Sequence, residues 1–371
     1  MKKTILALMI PALFATSASA VTIYSNEGDQ VDIYGRIQYE AGAMKFQDGV
    51  KANNFGGEGE ARLGINAKYN LNQDVDLIGK LEYQVVAEAD DATGSDNLNT
   101  RYAWAGFRFM DTTDLTFGRS QDPYALVVYD HDIFNVFGAR ATYGTIVKVA
   151  EDYNISGFGI DDKVDDQIRV AYANNGVDLR AAYAFADDDK VDGNTGKKNQ
   201  WSLAASYTLP MGLGFGAAYE QQNFGDGSVA ATSQNIQTNL GQVTILTPGV
   251  AGNGDVDFDA WILGVNYVID GFYIAAAYTE QEAKDDTVKV ETKGYELTGT
   301  YNVDAWTMLA QYSKEEAEVS GVSGKVDTID AITLGVQYDL TAKAKLYTEY
   351  EINSDDFNRD DRYGVGIQYN F

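Results

Sequence analysis

Apolar and polar residues alternate one by one along most of the chain, and this pattern predicts β-strands with one apolar face. The first such segment is a clear example. Its apolar face has Val31, Ile33, Gly35, Ile37 and Tyr39, and its polar face has Asp32, Tyr34, Arg36, Gln38 and Glu40. The last segment follows the same rule and ends at Phe371. About sixteen segments of this kind predict an all-β fold.

The connections between these segments indicate where the apolar faces lie. Tight turns at 174–176, 210–212 and 270–271 alternate with long polar segments at 47–59, 89–99, 187–199 and 314–327. A tyrosine also stands two residues before an apolar residue at many short turns, as at Tyr69, Tyr207 and Tyr338. A soluble β-sandwich would share the alternation, but short turns at one end and aromatic rings at one level are typical of a transmembrane antiparallel β-barrel.

In a barrel, the polar face of each strand lines the interior. The alternation therefore predicts that Arg36, Arg62, Arg101 and Arg169 point inward. In the segment that contains Arg101, the pattern predicts Tyr102 and Trp104 facing outward and Ala103 and Ala105 facing inward. Most aromatic rings are expected on the outer face, with Tyr34 and Tyr124 as exceptions. This argues against a channel specialised for sugars, which would need a path of aromatic rings.

The regular rhythm stops between about residues 119 and 166. This insert carries apolar side chains that need a surface to bury against, including Leu126, Val127, Ile133 and Phe134, together with the acids Asp130 and Asp132. We predict that it folds into the barrel and narrows the interior as a constriction loop. An ordinary surface loop is the alternative. The segment 223–256 is interpreted as a large external loop, in which 242–246 could form a short extra hairpin.

The first twenty residues have the features of a cleaved secretory signal. Lys2 and Lys3 precede a short apolar core, and Ala18-Ser19-Ala20 fits a small-residue cleavage site. The mature chain is then expected to run from 21 to 371 as one barrel domain. Loss of the two lysines changes the formal charge from −27 to −29.

Composition excludes several kinds of function. The acidic balance argues against a nucleic-acid partner, which would require a basic face. The chain has no cysteine and one histidine, His131, so we expect neither disulfides nor a cysteine- or histidine-rich metal site, and no cofactor. Acidic loop segments are interpreted as solvated charge. A hydrolase would have to use His131, and no recognisable serine nucleophile motif accompanies it.

Several short motifs together resemble the Gram-negative general porins, and the likeness spans the whole mature chain. The motifs are Val31-Asp32-Ile33-Tyr34-Gly35-Arg36, Ala61-Arg62-Leu63-Gly64, Thr100-Arg101-Tyr102-Ala103-Trp104-Ala105-Gly106, Phe117-Gly118-Arg119 and the terminal Phe371. The resemblance implies a sixteen-stranded barrel, a homotrimer in the outer membrane of a Gram-negative bacterium, and passive diffusion of ions and small hydrophilic solutes. It also implies that segment 89–99 latches onto a neighbouring subunit.

The resemblance assigns residues to the pore constriction. In that family, basic residues on the wall face acids on the inserted loop, and Arg36, Arg62 and Arg101 match the wall positions. Asp132 matches one loop acid, whereas the position of a second is Val136 here. Asp130 lies nearby and could compensate, and Arg140 or Arg169 could supply a fourth arginine; our candidate set is Arg36, Arg62, Arg101, Asp130, Asp132 and Arg169.

We therefore expect a porin with a mild preference for cations, because the chain is acidic overall. The expected partners are outer-membrane lipid and lipopolysaccharide, with divalent cations as a possible bridge, besides the permeating solutes. The alternative is a structural or adhesive barrel with a plugged lumen, whose surface loops, above all 223–256, bind a partner.

Overall fold

The computed structural model describes residues 20–47, 49–86, 98–152, 158–186, 197–225 and 255–371, and the backbone of 232–238 and 241–247. The expected signal segment, apart from residue 20, and most of the expected latch at 89–99 lie outside these residues. Among the described residues, no helix combines the length and apolar character needed to cross a membrane.

The described chain forms twenty-one strands and two short helices. The strands are β1 (Val21–Asn26), β2 (Asp29–Ala43), β3 (Phe46–Gln47), β4 (Lys51–Ala52), β5 (Gly56–Asn72), β6 (Val75–Val86), β7 (Leu98–Phe109), β8 (Thr113–Gln121), β9 (Lys163–Asn174), β10 (Val177–Ala184), β11 (Lys197–Thr208), β12 (Leu213–Phe224), β13 (Thr232–Thr238), β14 (Gly241–Thr247), β15 (Val256–Ile269), β16 (Phe272–Lys284), β17 (Lys289–Val303), β18 (Trp306–Val319), β19 (Val326–Thr341), β20 (Ala344–Asn353) and β21 (Arg362–Asn370). The helices are α1 (Ala125–Val128) and α2 (Ile146–Glu151).

Sixteen of these strands close into one antiparallel barrel, which confirms the predicted fold. Each long strand pairs with the next along the chain. The last strand, β21, pairs with the C-terminal half of β2, with Arg36 opposite Asn370. Strand β1 pairs with the N-terminal half of β2, with Val21 opposite Ile33, and so continues the line of β21. Closure leaves no open edge in the sixteen-stranded sheet, as far as its described strands show, and a spanning sheet requires this.

Short and long connections alternate around the barrel. Turns of two to four residues, such as 175–176 and 209–212, join strands at one end, and longer segments, such as 44–55 and 122–162, join them at the other. Strand β12 pairs directly with β15, while β13 and β14 form a separate hairpin within the long connection between them. The predicted polar segment 314–327 was too long, because β18 continues to Val319 and β19 begins at Val326.

The two faces of the wall differ as the alternation predicts. On β2 and β5, Ile37 is 55% exposed and Leu63 is 54% exposed, and both point away from the barrel interior. On the inner face, Asp32 and Gln38 are buried. The outward apolar rows match the apolar band of a lipid-facing barrel.

Strand β7 departs from the predicted alternation. Its pairing with β6 shifts by one residue, since Glu82 lies opposite Tyr102 while Tyr83 lies opposite Thr100. The extra residue in this β-bulge is Arg101, so Arg101 and Tyr102 both reach the interior. The expected outward placement of Tyr102 and Trp104, and the inward placement of Ala103 and Ala105, was therefore wrong. The inward direction of Arg101 was right.

Candidate functional site

The described residues between β8 and β9, 122–152 and 158–162, lie inside the barrel, and we call them the inserted loop. Its apolar side chains pack on the inner wall, with Tyr124, Val127 and Ile146 in one buried cluster with Phe258 and Ile262. Burial of such side chains stabilises the folded-in position by about 1.5–3 kcal/mol for each large group. The wall makes room for them. A Cβ on Gly216 or Gly264 would lie 3.0 or 2.6 Å from Val127 methyl groups.

Buried carboxylates of the wall hold the far part of the inserted loop. Glu349 accepts hydrogen bonds from the backbone N–H groups of Asn135, Val136 and Phe137 at 2.7, 2.9 and 3.2 Å. Glu296 accepts the amides of Arg140 and Thr142 at 2.9 and 3.0 Å, and Glu315 accepts the amide of Thr145 at 2.8 Å. Backbone N–H groups that are shielded from water need hydrogen-bond acceptors of this kind. These contacts fix the path of the loop across the interior.

The beginning of the inserted loop is held by a carboxylate of its own. Asp122 is completely buried and accepts hydrogen bonds from Ser202 Oγ at 2.7 Å and from the backbone N–H of Tyr124 at 2.7 Å. Tyr124 in turn bonds Thr279 across the interior, with 2.8 Å between the hydroxyl oxygens. Burial raises the pKa of Asp122.

On one side of the interior, basic side chains from neighbouring strands form a cluster. We call Arg36, Arg62, Lys80, Arg101 and Lys163 the basic cluster. Arg36 and Arg62 share Glu60, with 2.8 Å between Arg62 Nε and Glu60 Oε1. Arg101 Nε lies 2.7 Å from Glu82 Oε1, and both Arg62 and Arg101 donate to Gln84 Oε1 at 3.0 Å. The three arginines remain about a quarter exposed, so solvent in the lumen reaches them.

Two tyrosines and two lysines complete this region. Lys80 Nζ lies 4.2 Å from the ring centre of Tyr102 and 5.4 Å from that of Tyr34, and Lys163 Nζ lies 5.2 Å from the Tyr102 ring centre. The negative face of an aromatic ring attracts a cation placed over it. Tyr34 also donates to Glu82 Oε2 at 2.6 Å. More aromatic rings face inward than the sequence predicted, because Tyr102, Trp104, Tyr273 and Tyr347 join Tyr34 and Tyr124.

The inserted loop presents acids toward the basic cluster. Asp132 is exposed in the interior, and its Oδ1 accepts the backbone N–H of Ala139 at 3.2 Å. Desolvation by the surrounding protein inside the barrel raises the pKa of Asp132, and the nearby positive charges of Lys163 and Arg62 oppose that rise. At the end of the loop, Asp162 forms an ion pair with Lys163 and accepts a hydrogen bond from the Tyr129 hydroxyl at 3.1 Å. Asp132 therefore faces the basic cluster across solvent-accessible space inside the barrel, and we call this space the passage.

The structure brings four of the six candidate residues together and places the other two elsewhere. Arg36, Arg62, Arg101 and Asp132 share the passage. Asp130 points away from the basic cluster, and its Oδ2 accepts from Asn266 Nδ2 on β15 at 2.7 Å.

The sixth candidate, Arg169, faces the interior but is only 4% exposed, beneath the beginning of the inserted loop. The alternative fourth arginine, Arg140, lies with Glu351 on β20, with 2.8 Å between Nη1 and Oε2.

His131 is completely buried between loop and wall. Its Nδ1 lies 2.9 Å from the hydroxyl of Thr298, and burial lowers its pKa to about 4. The ring is therefore neutral at ordinary pH and packs as part of the loop contact. Its contacts are structural, and no described acid–histidine–serine arrangement forms around it.

Sequence reasoning missed two charged residues of the passage, Lys163 and Asp162. The strand after the insert was expected to start near Gln167, whereas β9 begins at Lys163. Alternation carried no signal for Lys163, because the pairing of β8 with β9 shifts between Gly118 and Ser120, and Asp165 lies exposed in an ion pair with Arg119. Lys80 shares the inner face of β6 with Glu82, two positions along the strand.

Comparisons with known proteins agree with this geometry. A sequence model of the family described as Gram-negative porin matches residues 5–358. Outer membrane porin F of Escherichia coli K12 is 29% identical over 406 aligned positions, which cover 100% of both chains. OmpF of Salmonella typhi has a similar fold, with a TM-score of 0.73 at 19% identity over 95% of this chain and 100% of that one.

A further solved structure is the trimer form of in-vitro folded OmpT of Vibrio cholerae. Its TM-score is 0.69 at 19% identity, over 93% of this chain and 100% of that one. At 19% identity, the similarity to this solved structure is evidence for the fold alone. The family match spans nearly the whole chain, and the closed barrel with its inserted loop agrees with it. The chain therefore belongs to the Gram-negative porin family and is a β-barrel protein of the outer membrane.

Proposed function

We propose that this porin forms a water-filled channel for passive diffusion of ions and small hydrophilic solutes, with its narrowest part between the inserted loop and the basic cluster. One observation carries the proposal: a long loop is packed and hydrogen-bonded inside a closed barrel, and its exposed Asp132 faces the solvent-accessible arginines of the opposite wall. Opposed charges across a narrow aqueous gap orient dipolar solutes and disfavour apolar ones.

The candidate residues have different parts in this proposal. Arg36, Arg62 and Arg101 line the constriction directly, together with Lys80 and Lys163, and Asp132 faces them. Asp130 and Arg169 act indirectly, because their contacts lie where the inserted loop meets the wall. The constriction loop itself is the inserted loop, which lies within the expected range 119–166.

We also propose a mild preference for cations. The formal charge of −27 for the whole chain gives the entrances an attractive potential for cations. The basic cluster opposes this potential at the narrowest point, so the preference is small. The overall acidity of the chain sets the sign of the ion selectivity, and the balance of acidic and basic groups at the constriction sets its size.

A homotrimer in the outer membrane completes the proposal, supported by the likeness to a porin solved in a trimer form. The segment 89–99 would contact the neighbouring subunit. Outward-facing acids and lysines near the loop end, such as Glu280 and Lys293 at 3.5 Å, would meet lipopolysaccharide headgroups, with divalent cations between like charges.

Swelling of liposomes tests solute passage directly. Liposomes that contain the purified mature protein and an impermeant polysaccharide are diluted into isosmotic solutions of uncharged sugars of increasing size. We expect rapid swelling with small sugars, slower swelling as size increases, and none with a polysaccharide outside. Protein that is demonstrably inserted but produces no swelling with the smallest sugar would contradict the proposal and favour a plugged barrel.

A further inference from the structure

A second recess lies on the turn side of the inserted loop, away from the basic cluster. Its volume is about 380 Å³, and it extends from α1 to the turn between β9 and β10 at Asn175 and Gly176. We call it the turn-side pocket. Its size falls in the range of about 300–1,000 Å³ that is typical of small-molecule sites. Solutes can reach it from the periplasmic end, where the short turns lie.

One end of the turn-side pocket holds an unneutralised carboxylate. Asp130 is half-buried, and the described lysines and arginines form no ion pair with it. Its Oδ2 accepts from Asn266 Nδ2, and its backbone carbonyl accepts the Tyr273 hydroxyl at 2.8 Å. Partial burial raises the pKa of Asp130 to about 6, so the group is mostly ionised at neutral pH. Half-buried negative charge without a counter-charge favours binding of a cation.

Asn266 fixes the position of Asp130 at the same end. It is 5% exposed, it lines the pocket, and its Nδ2 is the donor to Asp130 Oδ2. An ammonium group has three donors and can bond the oxygens of the carboxylate that Asn266 holds in place. The other charged pair in the lining is already satisfied, since Arg180 binds Asp178 through two contacts of 2.9 and 2.8 Å.

The rest of the lining offers apolar surface next to this carboxylate. Leu126 and Val127 of α1 contribute, and Ala173 and Val177 contribute from the wall. Charged solutes with fully polar bodies gain nothing from this surface. A molecule with an apolar body and a cationic end matches both parts at once.

We propose that the turn-side pocket binds small primary ammonium compounds with an apolar body, with the ammonium group on Asp130 and the body against Leu126 and Val127. Such a compound is held on the periplasmic side of the inserted loop. The inference is independent of the proposed conduction, because binding can be measured on protein that conducts nothing.

Equilibrium dialysis of the purified full-length mature protein in detergent, at low ionic strength, tests the proposal with phenethylammonium as the probe. 2-Phenylethanol has the same apolar body without the charge. We expect phenethylammonium to bind about tenfold more tightly than the alcohol, because a charge-assisted contact contributes about one to two factors of ten. Equal binding of the two probes would overturn the proposal.

Three variants separate the site from general attraction to an acidic protein. Asp130→Asn is expected to weaken phenethylammonium about tenfold and leave 2-phenylethanol unchanged. Leu126→Ser should weaken both probes. Glu151→Gln removes an exposed carboxylate from α2, outside the pocket, and should alter neither.

Unchanged amine binding in Asp130→Asn would contradict the site, as would an equal loss in Glu151→Gln. Circular dichroism and heat-resistant migration of each variant verify the fold. If a variant does not fold, the competition of sodium ion with phenethylammonium is measured on the wild-type protein instead. Amine binding that sodium ion leaves unchanged would equally reject the site.

Discussion

Replacing Arg36, Arg62 and Arg101 with glutamine should increase the preference of the channel for cations. Around the passage, the described residues include five basic groups, the basic cluster, and four acids, Glu60, Glu82, Asp132 and Asp162. The triple variant leaves two basic groups against the same four acids. The local balance therefore changes from slightly positive to clearly negative.

The size of the effect follows from Coulomb's law. An ion about 6 Å from one unit charge in water interacts with it by about 0.7 kcal/mol, and salt near 0.1 M reduces this to about 0.4 kcal/mol. Three removed charges then stabilise a passing cation by about 1 kcal/mol, which corresponds to about a fivefold rise in its occupancy. Anions are disfavoured by a similar amount. The change should be larger at low salt, since screening is weaker.

The assay is the reversal potential of the reconstituted channel under a KCl gradient of about tenfold, at low ionic strength. The matched control removes three positive charges from the outer side of the barrel, with Lys289, Lys293 and Lys325 replaced by glutamine. We expect a shift toward the cation potential for the arginine variant and little shift for the lysine variant. An unchanged reversal potential in the arginine variant, or equal shifts in both, would refute the assignment of these arginines to the constriction.

Three other changes test separate parts of the structure. Glu349→Gln replaces one carboxylate oxygen by an NH₂ group, which cannot accept the backbone N–H groups of the inserted loop, at a cost of about 1–3 kcal/mol. The loop is then held less firmly, so single-channel conductance should increase and fluctuate more. Conductance equal to that of the wild type, without added fluctuation, would contradict the anchoring role of Glu349. Deletion of Phe371 removes the pair of backbone hydrogen bonds with Gly35, at 3.0 and 2.9 Å, that ends the seam between β21 and β2, so less protein should appear in the outer membrane. Normal insertion would show that the end of this seam is dispensable. Gly118→Ala places a Cβ 2.4 Å from the carbonyl oxygen of Ala103, at a position where Gly118 has a φ of +113°. The folded barrel should therefore unfold at a lower temperature on heat-modifiability gels. An unfolding temperature equal to that of the wild type would contradict this close approach.

The sequence contained enough to predict the architecture. Strict alternation identifies a lipid-facing row on each strand, and closure of the barrel follows because a spanning sheet leaves no edge in lipid. The inserted loop was recognisable for a related reason. Its apolar side chains, such as Val127, need a surface that an external loop does not provide, and the wall supplies one through Gly216 and Gly264.

The site was less predictable, because alternation fails wherever a strand bulges. The extra residue at Arg101 reverses the faces of the rest of β7 and carries Tyr102 into the lumen beside Lys80 and Lys163. No residue type in this stretch indicates the bulge.

The carboxylates that hold the inserted loop also could not be identified from the sequence. Glu349 has the pattern of any other inward polar residue, and only its contact with the loop in the folded structure distinguishes it.

Single-channel recording from the purified mature protein in a planar bilayer, under a salt gradient, is the decisive measurement of conduction. We expect conductance steps in groups of three, which reflect an open, constricted pore in each subunit of a trimer, and a small reversal potential of the sign that marks cation preference. A silent bilayer that demonstrably contains the inserted protein would contradict an open channel, and the lumen would then have to be regarded as plugged.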